Sequence, residues 1–145
     1  MGFRFNLQRV LDMRKESADQ AGRRFEETQR ACEHMRAVLR DELDAYFAER
    51  EIFNDASRVS AFAQLTSLDR ALEARKRRLL EVMTALKEVE SDLRLAEQAL
   101  LLARRDLKAV ENLRERRATE WTRAQEEKER KFLDEMTTLR HARKA

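Results

Sequence analysis

The side chains that could do chemistry are few in this sequence, and none of them is spaced for a reaction. The chain has one cysteine, Cys32, and two histidines, His34 and His141. Cys32 and His34 stand two positions apart, so on a helix they point to different faces. The sequence has no glycine-rich phosphate loop, no Cys and His cluster with metal-ligand spacing and no nucleophile beside a base. We predict no catalytic residue, no metal site and no cofactor, and therefore no enzyme.

The single cysteine also bears on where the protein works. Cys32 has no second cysteine with which to form an internal disulfide, which is typical of a reducing compartment. The first 15 residues contain no apolar run long enough for a signal peptide, and no stretch approaches the roughly 18 uncharged apolar residues of a membrane span. We expect a cytoplasmic protein without direct membrane insertion, in which Cys32 packs in the core.

Basic clusters inside a leucine repeat raise the question of nucleic-acid binding. The 31 Lys and Arg residues are interspersed with 28 Asp and Glu residues, which is the pattern of a solvated helix surface. A leucine-zipper factor needs a basic helix directly before its repeat. Residues 54–64 contain one Arg and one Asp instead. The sequence therefore predicts no nucleic-acid partner.

The apolar residues are arranged for a coiled coil. Charged residues make up 41% of the chain, which leaves too little apolar surface for a thick core, and the absence of proline permits long helices. An apolar heptad repeat runs through the first third of the chain, and a leucine heptad runs through the middle. The first repeat comprises Leu11, Ala18, Phe25, Cys32, Leu39, Tyr46 and Phe53, and the second comprises Leu65, Leu72, Leu79, Leu86, Leu93, Leu100 and Leu107.

A polar segment separates the two repeats. Residues 54–67, NDASRVSAFAQLTS, are rich in side chains that compete with helical backbone hydrogen bonds. We place a first helix at about residues 5–53, a turn at about 54–67 and a second helix at about 68–140. Amphipathic helices with a short connection fold back on each other. The predicted fold class is all-α, a long antiparallel two-helix coiled-coil hairpin that forms a single domain over residues 1–145.

The two repeats can be aligned with each other. In an antiparallel pair the facing residue numbers have a constant sum, and a sum of 121, centred near residues 60 and 61, places large side chains opposite small ones. Glu42 then lies within reach of the Arg75 guanidinium. A slip of one heptad remains an alternative. In either register the first helix reaches only to about residue 114 of the second, which leaves a C-terminal overhang of about seven turns.

The overhang carries large apolar residues although its intramolecular partner has ended. Trp121 is followed by Phe132, Met136 and Leu139, and the eleven-residue step from Trp121 to Phe132 departs from the heptad. These side chains either bind another protein or pack against Phe3 and Phe5 at the N-terminus. Both interpretations are compatible with the sequence.

Two segments at opposite ends of the chain resemble a known family. FRFNLQRVLDMR, residues 3–14, resembles the opening of the FliJ family, the flagellar type III export stalk proteins. KERKFLDEMTTLRHAR, residues 128–143, resembles the C-terminal signature of that family, built around Asp134 and Glu135. Chain length, two-helix layout and the lack of proline agree as well, so the resemblance covers nearly the whole chain.

The resemblance implies a role in bacterial flagellum biogenesis and motility. Proteins of this family form an antiparallel coiled coil, similar to the central stalk of rotary ATPases, that inserts into the hexameric flagellar export ATPase and promotes its assembly and activity. They also contact the cytoplasmic domain of the membrane export gate and interact with export chaperones. The implied location is cytoplasmic and peripheral, at the export apparatus of the inner membrane.

The resemblance also assigns residues to two partners. The paired ends of the helices enter the ATPase ring, and the part near the hairpin turn contacts the export gate. The implied ATPase-binding residues are Phe3, Phe5, Leu7, Val10, Leu11, Arg14, Phe132, Asp134, Glu135 and Met136, and the implied gate-binding residues are Leu39, Leu43, Tyr46, Leu65, Leu68 and Ala71. Several gate residues are also seam positions of the coiled coil, whereas Leu43 is not.

Two other functions are compatible with the same sequence. One is the injectisome counterpart of the stalk in type III secretion. The other is a generic coiled-coil adaptor that forms a parallel homodimer through the leucine repeat, without a hairpin. The second alternative predicts no fold-back contacts between the two halves of one chain.

Overall fold

The computed structural model describes residues 2–59 and 61–144, and it consists of two long helices. Helix α1 spans Gln8–Ala56 and helix α2 spans Phe62–Lys144. Gly22 is the only glycine within a helix, and with no proline in the chain nothing interrupts either hydrogen-bond ladder. The helices pack against each other, and no strand occurs in the described residues. The predicted all-α helical hairpin is confirmed.

The turn between the helices is shorter than the predicted 54–67. Helix α1 runs on to Ala56 and α2 begins at Phe62. The polar residues at these ends bond back to helical carbonyl groups: Ser57 Oγ donates to the Asn54 carbonyl at 2.7 Å, and Thr66 Oγ1 donates to the Phe62 carbonyl at 3.0 Å. Thr66 thereby remains within α2, whereas Ser57 bonds to the last turn of α1 and lies just past the end of that helix. The predicted turn centre includes residue 60, which lies outside the described residues.

The other two helix ends also differ from the predicted bounds. Helix α1 begins at Gln8 and not near residue 5, while α2 continues to Lys144 and not only to about residue 140. Residues 2–5 are not helical, and the Gln8 amide donates to the Phe5 carbonyl at 3.2 Å in the turn that precedes α1. The last turn of α2 contains the basic residues His141, Arg143 and Lys144, and positive charge there is favourable at a helix C-terminus.

The chain divides into two compact units, and each contains part of both helices. Unit 1 comprises Met1–Asp19 with Leu102–Ala145, and unit 2 comprises Gln20–Leu101. All the predicted ATPase-binding residues fall in unit 1, and all the predicted gate-binding residues fall in unit 2. The two implied functions therefore map to different units.

Unit 2 has a core to which both helices contribute. Cys32 is 1% exposed and Thr28 is 7% exposed, and the Thr28 hydroxyl is satisfied by the Arg24 carbonyl at 2.8 Å. The buried apolar residues of unit 2 are Cys32, Leu72, Val82, Leu86, Ala96 and Leu100. Each fully buried leucine or valine contributes about 1.5–3 kcal/mol. Cys32, Leu72, Leu86 and Leu100 among them are members of the two predicted heptad repeats.

Ion pairs across the seam of unit 2 agree with the predicted antiparallel alignment. Arg75 Nη1 lies 3.3 Å from Glu42 Oε2, as predicted. Arg36 Nη2 lies 3.7 Å from Glu90 Oε1. The sums of the residue numbers in the two pairs lie on either side of the predicted sum of 121. Fold-back contacts are therefore present within one chain.

Candidate functional site

In unit 1 the N-terminal segment, residues 2–7, packs on α2. The Phe3 and Trp121 rings are 6.4 Å apart between centroids and tilted by 55°. Phe5 is 8% exposed, and the Arg117 guanidinium carbon lies 5.8 Å from its ring centroid, within cation–π range. Arg117 Nη1 also donates a hydrogen bond to Asn6 Oδ1. Packing of Trp121 against the N-terminus, one of the two predicted alternatives, is therefore present.

The start of α1 is fixed to the same part of α2. Leu11 is 3% exposed, and Arg14 Nη1 lies 3.4 Å from Asp106 Oδ2. Both side chains of this ion pair are more than a third exposed, so it contributes little to stability. Leu11 therefore holds α1 in place in this unit, and Arg14 stays accessible to a partner.

Beyond Trp121 the apolar residues of α2 remain open. Phe132 is 61% exposed, Met136 43% and Leu139 59%, and Gln125 is the only described residue after Trp121 that is not classed as exposed. At roughly 100° of rotation per residue, Phe132, Met136 and Leu139 lie on one face of the helix. Leu133 borders this face and is 63% exposed. We call Phe132, Met136 and Leu139 the open stripe.

The two acidic residues of the C-terminal motif lie on different faces of α2. By helical rotation Glu135 flanks the open stripe, whereas Asp134 points to the opposite side. The carbonyl of Asp134 accepts a hydrogen bond from Thr138 Oγ1 at 2.9 Å, so the backbone here is regular helix. The predicted site residues of this motif cannot all face one flat surface.

The predicted ATPase-binding residues thus divide by exposure. Phe5 and Leu11 are buried within unit 1, and Phe3 and Leu7 are partly buried. The exposed members are Val10, Arg14, Phe132, Asp134, Glu135 and Met136. Only the exposed members can reach a partner without a rearrangement of the N-terminal segment.

The predicted gate-binding residues of unit 2 are mostly seam residues. Ala71 is exposed, whereas Leu39, Leu43, Tyr46, Leu65 and Leu68 are partly buried. Leu43 follows Arg36 by seven residues, so it lies on the side of the seam that the Arg36–Glu90 ion pair marks. Leu43 is therefore placed at the edge of the seam, where a partner can reach it.

Sequence reasoning missed large apolar residues near Leu43. Phe47 follows it by four residues and is 55% exposed, and its ring meets Tyr46 edge-on with centroids 5.5 Å apart. On α2, Met83 is seven residues from Glu90 and hence on the same side, and it is 40% exposed. These residues lie off the heptad seam. A search for large apolar side chains outside the seam would have found them.

On the other side of the same part of unit 2, charged side chains form ion pairs between the two helices. Arg75 donates to Glu49 Oε1 at 2.9 Å and to Glu42 Oε2 at 3.3 Å, and Arg78 Nε lies 3.6 Å from Glu42. The hydrogen bonds from Arg75 to Glu49 and then to Glu42 raise the pKa of Arg75. The stabilisation from these ion pairs is fully present at every pH below the pKa of the free guanidinium, and it is lost only as the pH rises through the raised pKa.

The cysteine and the residues that could act as metal ligands can be located in the described part of the chain. Cys32 is a free thiol in the core of unit 2. No group of three His, Cys, Asp or Glu residues that could hold a metal ion is found among residues 2–59 and 61–144. Over the same residues, neither helix has a stretch apolar and long enough to span a bilayer.

Paired helices with exposed apolar faces and a free helix end define a coiled-coil protein of the kind that binds other proteins. A family model described as "Flagellar FliJ protein" matches residues 3–145. The chain belongs to this family, as the two end motifs predicted, and it is therefore a component of flagellar type III protein export. This is not a known family of enzymes. No curated protein and no solved structure matches the chain.

Proposed function

We propose that this chain is the non-enzymatic central stalk of the flagellar export ATPase. In this proposal the paired ends of the helices insert into the ATPase hexamer and promote its assembly and activity. The family membership supports a role in export, and the observation that carries the stalk role is the open stripe on the free end of α2. Exposed apolar side chains on a helix without a partner mark a protein-binding surface.

A stalk acts on a ring through asymmetry. A rod within a symmetric hexamer can contact only some of the subunits at one time, so its contacts favour ring assembly and make the subunits unequal. The end of α2 suits such a position, because it presents apolar residues on one face and Asp134 on the opposite face. A helix that is enclosed by several subunits can use both faces at once.

The N-terminal motif has a second role in this proposal. Phe5 and Leu11 are buried against α2, and Leu7 is partly buried, so these residues place the helix that enters the ring. Val10 and Arg14 are exposed next to them and contact the ATPase directly. The exposed residues of the C-terminal motif, Phe132, Asp134, Glu135 and Met136, complete the set that contacts the ATPase, whereas Phe3 belongs to the site through its ring contact with Trp121.

Unit 2 supplies the proposed contact with the cytoplasmic domain of the membrane export gate. Leu43, Phe47 and Met83 form an apolar edge on the side opposite the Arg75 ion pairs. The gate-binding set comprises Leu39, Leu43, Tyr46, Leu65, Leu68 and Ala71, to which we add Phe47 and Met83. Export chaperones are further partners in this proposal, in which the chain acts as one coiled-coil domain at the cytoplasmic side of the export apparatus.

The rate of ATP hydrolysis and the hexamer fraction of a purified flagellar export ATPase, each measured with and without this protein, test the proposal. We expect faster hydrolysis together with more hexamer. An active ATPase that shows neither change would contradict the stalk function. Gel filtration of the mixture separates a failure to bind from binding without stimulation.

A further inference from the structure

The N-terminal segment covers one end of a longer apolar face of α2. Trp121 lies eleven residues before Phe132, and eleven residues are close to three full turns, so both side chains project from the same face. Trp121 is 36% exposed because Phe3 packs on it, whereas Phe132 is 61% exposed. The open stripe and Trp121 are therefore parts of one face, of which only the Trp121 end is occupied.

The N-terminal segment is attached to α2 more firmly at Phe5 than at Phe3. Phe5 is 8% exposed and lies under Arg117, which also bonds to Asn6, so this part is firmly attached. Phe3 is partly buried and is not helical, and its ring contact with Trp121 is tilted. Phe3 can therefore leave α2 while Phe5 stays in place.

We propose that Phe3 is an intramolecular competitor for the binding face of α2. The apolar surface of the export ATPase that binds the open stripe extends to Trp121 and displaces the Phe3 ring from it. This inference rests on the proposed function and assigns a regulatory contact to the same site. Phe3 then lowers the apparent affinity of the free chain for the export ATPase. Only the fraction of chains in which Trp121 is uncovered can bind with the whole face.

Trp121 is the only tryptophan in the chain, which makes the contact measurable. Its fluorescence reports the Phe3 contact directly, and Phe3→Ala should shift the emission to the red because the indole gains solvent. Met13→Ala is the matched control, since Met13 is an apolar residue of unit 1 that is 69% exposed. This control should leave the emission unchanged.

The experiment is a titration of the export ATPase with the full-length chain, its Phe3→Ala variant and its Met13→Ala variant. A fourth chain carries Phe3→Cys and Trp121→Cys in a Cys32→Ala background. Its binding to the ATPase is measured before and after a short bismaleimide links the two introduced cysteines. We expect Phe3→Ala to bind about threefold more tightly than the unaltered chain. The bridged chain should bind about tenfold more weakly than the same chain without the bridge.

The outcomes separate this inference from the function on which it rests. Weaker binding by Phe3→Ala, or equal binding with and without the bridge, would show that Phe3 is not a competitor, although the chain still binds the ATPase. Absence of binding by every chain would overturn the proposed function and this inference together. Tighter binding by Phe3→Ala combined with loss of binding on bridging supports the inference.

Discussion

Units 1 and 2 use the same two helices in different ways. In unit 2 both helices bury side chains, including Cys32 from α1 and Leu72, Val82 and Leu86 from α2. Among the described residues of unit 1, only Phe5 and Leu11 are buried, and neither of them belongs to α2. In unit 2 both helices therefore contribute to the buried seam, whereas in unit 1 the apolar side chains on one side of α2 remain exposed.

Charge distinguishes the units as well. Unit 1 contains 17 Lys and Arg residues against 12 Asp and Glu residues, whereas unit 2 contains 14 against 16. The units therefore carry net charges of opposite sign, which favours partners of different charge. In the function proposed above, one uniform fold serves two partners without a separate binding domain.

The largest expected effect is on the core of unit 2. Leu86 is 9% exposed, and Leu86→Ala should lower the free energy of unfolding by about 2 kcal/mol, because transfer and cavity costs add. Leu80→Ala is the matched control, since Leu80 is 62% exposed on the same helix, and it should change stability by less than about 0.5 kcal/mol. Urea unfolding followed by circular dichroism measures both. Equal losses would mean that the seam is not the stabilising face.

The second prediction concerns the open stripe of unit 1. Phe132→Ala with Met136→Ala should weaken binding to the export ATPase about tenfold, because the double variant removes two of the three large apolar side chains of the open stripe. The control is Leu95→Ala, which removes a side chain of similar exposure, 62%, from the unit 2 part of α2. Titration calorimetry gives both affinities. If the two variants bind alike, the distinction between the units does not extend to this partner.

The third prediction tests unit 2 as a binding surface. Leu43→Ala with Phe47→Ala should weaken binding to the cytoplasmic domain of the export gate about fivefold and leave ATPase stimulation unchanged. Ile52→Ala is the control: Ile52 is 56% exposed but follows Glu49 by three residues, so it lies on the side with the Arg75 ion pairs. Pull-down with the isolated gate domain provides the measurement. A larger loss from Ile52→Ala would move the gate contact to the other side.

Heptad reasoning predicted the parts of this fold that depend on periodic packing. Cys32, Leu72, Leu86 and Leu100 stand at predicted seam positions and are buried, and the Glu42–Arg75 ion pair follows from the same alignment. Each heptad returns a side chain to nearly the same face, so sequence spacing alone identifies the buried positions. The fold class was therefore predictable in full.

Helix ends and the exposure of the N-terminal segment were less predictable, because neither depends on a heptad repeat. The polar residues near Asn54 and Thr66 indicated a longer turn, but α1 continues through Asn54, α2 already contains Thr66, and the Ser57 and Thr66 hydroxyl groups donate to carbonyl groups of the helices. Motif matching placed Phe5 and Leu11 in the binding set although both are buried. A motif gives the identity of a residue and not its exposure, which depends on the neighbouring helix.

The smallest expected effects come from the two acidic residues at the end of α2. Glu135 flanks the open stripe and Asp134 lies opposite it, so Glu135→Lys should lower ATPase stimulation about threefold and Asp134→Lys about twofold at low salt. Asp44→Lys in unit 2 is the control. Asp44 is exposed, and its substitution makes the same charge change outside the proposed site. Hydrolysis rates at low and high salt, with helicity checked by circular dichroism, measure all three variants. A ring that encloses the helix contacts both faces, so full stimulation by Asp134→Lys would restrict the partner to the side of the open stripe and replace pore insertion by side-on binding.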